Sequence, residues 1–243
     1  MLLANNANVN AVDNDGWTPL YAASEKGQLE VARLLLANNA NVNAADKDGR
    51  TPLYIASQEG QLEVAKLLLA NNANVNAADK YGWTPLHGAS QEGQLEVAKL
   101  LLANNANVNA ADYNKWTALH WASLKGQLEV AKLLLANNAN ANAANKDGRT
   151  PLHWASLNGQ LKVAKLLLAN NANVDAANKD GMTPLHVACQ NGRLKVAKLL
   201  HANNADPTIR DAQSQTPFMI ITPWTGAERD ELYVLLKSAA WYG

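Results

Sequence analysis

The apolar positions of the chain return every 33 residues. In the stretch DGRTPLYIASQEGQLEVAKLLLANNANVNAADK, a short apolar run follows Thr51 and Pro52 and stops before Gly60. A hydroxyl N-cap followed by proline opens a helix, because an N–H at the first helical position has no intrahelical acceptor anyway. The spacing predicts a short helix to about Gln58 and a break at Gly60. A second helix follows, with Leu62, Val64, Ala65, Leu67, Leu68 and Leu69 supplying apolar faces. Glu63 and Lys66, three apart, are expected to pair on its surface. Asn72 stands where that helix should end, at the left-handed position that glycine favours and asparagine tolerates. The polar run NVNAADKDG then reads as an extended, hairpin-like finger closed by a glycine turn.

Thr18, Thr51, Thr84, Thr117, Thr150, Thr183 and Thr216 all keep the 33-residue step, and GQLEVAKLLLANNANVNAAD occurs unchanged at 60–79 and 93–112. Such a period signals stacked units, none of which can bury its apolar face alone. Together with that period, the strings GWTPLHGAS, GRTPLHWAS and GMTPLHVAC resemble the ankyrin repeat over about residues 1–240. The resemblance implies an all-α ankyrin-repeat solenoid of helix-turn-helix units with β-turn fingers. Fingers and first helices would line its concave side, and second helices its convex side. One domain over 1–243 is expected: a partial repeat at 1–15, six near-identical repeats over 16–213 and a C-terminal capping repeat at 214–243. Asn39, Asn72, Asn105, Asn138, Asn171 and Asn204 stand where the family mostly has Gly, a departure expected to cost some stability per repeat. Leu2 and Leu3 match the tail of a second helix whose unit is otherwise missing, and Thr225 with Glu228 reads as a capping box.

Aligning the repeats within the chain separates copied from uncopied positions. Leu29, Val31, Ala32, Leu34 and Leu35 hardly change from repeat to repeat. The finger tip does change: one position runs Trp17, Arg50, Trp83, Trp116, Arg149, Met182, with Tyr81 and Tyr113 as neighbours. In the first helix one position runs Ala22, Ile55, Gly88, Trp121, Trp154, Val187, and another includes Leu124 and Leu157. Positions 121, 124 and 125 share one helix face. The uncopied residues are therefore expected to form one strip rich in Trp and Tyr, the residue types that dominate binding hot spots. That strip, with Arg50, Arg149 and Met182, is the candidate protein-binding surface. The opposing reading is that the tryptophans pack against one another, or lie back on the next finger, as part of the core.

Composition narrows the function classes. The chain has 243 residues and no net charge, which disfavours nucleic acid as a partner. Charge is uneven: residues 1–130 carry 9 Lys+Arg against 13 Asp+Glu, and residues 131–243 carry 12 against 8. Either this is drift on a solvated face, or the C-terminal half tolerates an acidic partner. A single cysteine, Cys189, suits a reducing compartment, and no signal peptide or apolar run of membrane length is seen, so a cytoplasmic setting is expected. A monomer is expected, with self-association around Leu2 and Leu3 as an alternative.

His87, His120, His153 and His186 recur every 33 residues, which places them roughly 10 Å apart, too far to share one zinc ion. By resemblance they bond to neighbouring backbone or threonine groups. No nucleotide-binding, hydrolase or metalloprotease motif is present, so no catalytic residue, cofactor or metal is expected. Asn43, Asn76 and Asn109 each follow a leucine by eight residues, which resembles the sites that ankyrin-family members offer to an asparaginyl hydroxylase. The internal identity fits recent tandem duplication or an engineered consensus array equally well. The function expected is a non-catalytic protein–protein interaction module, with a purely structural array as the rival.

Overall fold

The computed structural model of the chain describes residues 8–221, 226 and 230–234. Among these residues two kinds of helix alternate. The first helices are α1 (Pro19–Glu25), α3 (Pro52–Gln58), α5 (Pro85–Glu92), α7 (Ala118–Lys125), α9 (Pro151–Asn158), α11 (Pro184–Gln190) and α13 (Pro217–Ile220). The second helices are α2 (Leu29–Ala37), α4 (Leu62–Ala70), α6 (Leu95–Ala103), α8 (Leu128–Ala136), α10 (Leu161–Ala169) and α12 (Leu194–Ala202). Residues 230–234 are also helical, and Tyr233 packs on Phe218 with ring centroids 4.7 Å apart. Leu2, Leu3 and the Thr225–Glu228 capping box lie outside the described residues.

Local signals behave as their chemistry requires. Thr51 is extended and its hydroxyl accepts the Tyr54 N–H at 3.2 Å. Glu63 and Lys66 pair at 2.6 Å. Asn72 has φ 63°, and its counterparts Asn39, Asn105, Asn138, Asn171 and Asn204 share that left-handed geometry. The fingers depart from expectation. Among the described residues there is no strand, only isolated bridge residues at 111 and 117. In the second finger Asp46 N–H donates to Arg50 at 3.0 Å and Gly49 N–H to Asp46 at 2.9 Å. That is a tight turn with too few cross-chain bonds for a hairpin ladder.

The chain divides into two compact units, Met1–Tyr113 with Ala136–Asn138, and Asn114–Leu135 with Ala139–Gly243. In the first, α1, α3 and α5 lie side by side, as do α2, α4 and α6, and each first helix packs on its second. In the second, α7, α9, α11 and α13 form a row, while α10 packs on α9 and α12. The copied residues make both cores: Leu53, Ala56, Ala65 and Leu68 are fully buried, and so are Leu119, Ala122, Leu134 and Leu152. Burying a leucine is worth about 2 kcal/mol, so these columns carry the stability.

Within each unit, polar bonds tie adjacent repeats together. Gln61 donates to the Glu25 carbonyl at 3.1 Å and Gln94 to that of Gln58 at 3.2 Å, satisfying acceptors at the ends of first helices. The Asn43 side-chain oxygen accepts the Asn74 N–H, and that of Asn76 accepts the Asn107 N–H, each at 2.8 Å. The asparagines singled out in the sequence thus join adjacent fingers. Fingers also bond directly, Lys80 N–H to Asp48 and Lys179 N–H to Asp147.

The repeated histidines complete the seam. Thr150 N–H donates to Nδ1 of His153 at 3.0 Å, so Nε2 carries the proton and reaches the Met182 carbonyl at 3.0 Å. Tyr21 and Tyr54 fill the same slot in the first two repeats and are buried. Burial pushes both hydroxyls to higher pKa, and the Asp46 and Asp79 carboxylates add to the effect. Cys189 is fully buried in the slot that serine fills elsewhere, and burial pushes its thiol up to about 12. Such a thiol is an inert filler.

Burial pulls His153 down to about 4 from the ordinary 6.5, against a smaller opposing effect of its bond to Met182. In the unfolded chain this residue takes up a proton first as pH falls, so stability should drop from about pH 6.5 and level off near pH 4. Guanidinium unfolding of the intact chain and of His153→Gln, at neutral pH and near pH 4.5, checks this: the intact chain should lose the more stability of the two on acidification. Lys115 has φ 61° where five other repeats place glycine and the last has Ser214. Lys115→Gly should raise stability by about 1 kcal/mol, read from the unfolding midpoint.

Candidate functional site

The finger tips are set by one carboxylate or amide per repeat. In the second finger one oxygen of Asp46 accepts the Asp48 and Arg50 N–H groups at 2.8 and 2.9 Å. The other oxygen accepts Arg50 Nε at 3.0 Å, and an Arg50 terminal nitrogen reaches Asp48 at 3.0 Å. Lys80 also pairs with Asp48 and lies 5.1 Å from the Tyr81 ring centre. The Lys80 ammonium, followed by the Arg50 charge, holds the Asp48 carboxyl below its usual range. Between these fingers lies an open groove of about 230 Å³ lined by Asp48, Arg50, Tyr54, Asp79, Tyr81 and Trp83.

The other candidates of this unit are placed differently from one another. Trp17 is half-buried against Tyr21, with centroids 4.9 Å apart. Trp83 is half-buried too, and its indole N–H donates to the Asp112 carboxylate of the following finger at 3.1 Å. Tyr81 and Tyr113 are 56% and 66% exposed, the most open aromatics among the described residues.

In the second unit three tryptophans come together. The Trp116 ring lies 4.5 Å from Trp121 and 4.4 Å from Trp154, so the finger-tip indole sits against both helix indoles. All three are half-buried, as are Leu124 and Leu157. The Arg149 guanidinium lies 5.2 Å from the Trp154 ring centre. Met182 is a correction: it is 9% exposed and belongs to the core. Its carbonyl is held by His153 and its N–H by Asn178, which draws this finger tip inward. The variable first-helix position is likewise not uniformly at the surface. Ile55 and Val187 are 6% and 5% exposed, because the adjacent first helices close over that face. A Cβ on Gly88 would meet Gln58 Cβ at 3.3 Å.

One functional feature lies outside the expected set. Asn145 and Asn178 replace the finger aspartates Asp46, Asp79 and Asp112. Each amide oxygen still accepts two backbone N–H groups, but each Nδ2 is buried without a partner. Arg149 Nε is buried without a partner as well. Arg50 finds a carboxylate at this point, whereas Arg149 meets an amide whose free group is a donor. The signal was available as a change at a copied position, Asp to Asn, in the finger that also carries arginine.

Among the described residues no three His, Cys, Asp or Glu side chains are placed to hold a metal, and no helix is long and apolar enough to cross a membrane. The copied frame with uncopied tips defines a repeat protein of the kind that presents a surface on a stacked scaffold. The chain belongs to the ankyrin repeat family: the profile "Ankyrin repeats (3 copies)" matches residues 1–79, 75–145 and 137–211. It is similar to the crystal structure of the human ASB11 ankyrin repeat domain, with 29% identity and a TM-score of 0.81 over 90% of this chain and 98% of that one. No match is found among curated proteins.

Asn145→Asp should restore the arrangement of Asp46 with Arg50, turning two orphaned donors into one charge-assisted bond. A gain of roughly 1–3 kcal/mol is expected. Thermal unfolding of the variant beside the intact chain checks it.

Proposed function

Ankyrin repeats are protein–protein interaction modules, and we propose that this chain binds a partner protein without catalysing a reaction. The contact surface would be made by the finger tips and the open faces of the first helices. The observation that carries this reading is the split between copied and uncopied positions. The copied residues that make the core, such as Ala32, Leu35, Leu53 and Leu68, are buried, while Tyr81, Tyr113, the Trp116 cluster and the two finger arginines keep exposed or half-exposed surface. Aromatic groups on a stiff frame give large contact area at small entropic cost. The residues proposed to take part are Trp17, Arg50, Tyr81, Trp83, Tyr113, Trp116, Trp121, Leu124, Arg149, Trp154 and Leu157. We read the chain as one ankyrin domain ended by a capping repeat, and the lone buried thiol suits a reducing compartment.

The rival reading is a structural array with no partner of its own. The mutual contact of Trp116, Trp121 and Trp154 favours it, since those rings already cover part of one another. The discriminating experiment uses three folded proteins matched by circular dichroism: the intact chain, Tyr81→Ser with Tyr113→Ser, and Leu34→Ser on an exposed second-helix site. For an interaction module, the finger variant should lose at least about 90% of a specific capture that the Leu34 variant retains. Equal capture by all three, or none by any, supports the structural array.

A further inference from the structure

We infer that the Arg149 patch is built to receive a carboxylate from the partner, an Asp or Glu side chain flanked by apolar groups. This rests on the protein-binding reading and names the chemistry of the partner at one place. Two repeats of this chain carry arginine at the same finger position, and they serve as each other's control. Arg50 is neutralised from within by Asp46 and Asp48 at 3.0 Å each. Arg149 makes no ion pair or side-chain hydrogen bond among the described residues. Asp147 stands where Asp48 does but does not pair with it, and Asn145, only 4% exposed, holds a second unpartnered donor in its Nδ2.

The site therefore has donors and a positive charge in excess of its acceptors. The enclosed Arg149 Nε and Asn145 Nδ2 cannot be reached, but Arg149 as a whole is half-exposed and its terminal guanidinium nitrogens are not among the enclosed unpartnered atoms. A guanidinium presents a flat fork that matches a carboxylate through two parallel bonds. Beside it lie Trp154, 5.2 Å from the guanidinium, and the Trp116 and Trp121 rings packed in the same cluster, and an apolar flank lowers the local dielectric and strengthens such a pair. Charge complementarity selects the occupant: an apolar segment alone would leave the Arg149 charge uncompensated and partly desolvated. A phosphate could meet the same fork, but although residues 131–243 carry 12 Lys+Arg against 8 Asp+Glu, one arginine with Asp147 two residues away is not the broad basic surround that a nucleic acid requires.

The test selects a displayed library of short random peptides on the intact protein, with a single-stranded RNA oligonucleotide as a parallel probe. The selected peptides are expected to share an Asp or Glu beside apolar residues. Replacing that acid by its amide should weaken binding on the order of tenfold or more. Arg149→Gln in the protein should do the same. The decisive variant is Asn145→Asp, which keeps Arg149 and the tryptophans, folds at least as firmly, and supplies an internal carboxylate that competes with the peptide's. It should also weaken binding about tenfold. Selected peptides without acids, or unchanged binding to Asn145→Asp, overturn the carboxylate inference and leave the protein-binding reading standing. RNA binding with the same Arg149 dependence and no peptide binding overturns it in favour of phosphate. No enrichment here, with enrichment on a control protein in the same library, overturns both readings.

Discussion

Within each unit the stack depends on one recurring arrangement: buried or edge polar groups of one repeat bond to the backbone of the adjacent repeat. His153 illustrates it. Its Nδ1 is consumed by Thr150 within the repeat, and its Nε2 reaches the carbonyl of Met182, 29 residues along. Gln61, Gln94 and Arg193 reach back 36 residues to first-helix carbonyls, and Asn43 and Asn76 reach forward 31. A buried donor left without its acceptor costs about 1–3 kcal/mol. A repeat that drifted at any of these positions would damage two interfaces, one on each side. The unchanged twenty-residue copies follow from that.

The same arrangement explains which departures are tolerated. Tyr21 and Tyr54 replace histidine because an aromatic with one polar tip fills the slot. Cys189 replaces serine because the slot needs a small group; Ser24 and Ser57 satisfy their hydroxyls on carbonyls four residues back, and a thiol asks for less. Arg193 stands in for glutamine and still donates to the first-helix carbonyl of Leu157 at 3.0 Å. The changes from Asp to Asn at 145 and 178 are of another kind. They keep the turn, since an amide oxygen accepts as a carboxylate does, but they remove the second acceptor. The frame survives and the local charge balance does not. In a fold whose scaffold is so uniform, such a place is where a surface acquires its own character.

Much of this was legible in the chain. Helix starts, breaks and ends follow from Thr-Pro, Gly and Asn at fixed offsets, because these are local backbone effects decided within a few residues. The partition into copied core and uncopied tips was legible too, since every repeat solves the same packing problem. What the sequence could not decide was how far each uncopied side chain stands from solvent. Met182 and Ile55 share alignment columns with Trp116 and Trp121, yet they are buried while the tryptophans are half-exposed. Exposure depends on what the neighbouring first helix and finger place against that column, which is a property of pairs of repeats. The three-tryptophan cluster and the unpaired Arg149 are likewise contacts across repeats. A single repeat determines its own turns and helices; only stacking brings Trp116 against Trp154 and decides which charges meet a partner.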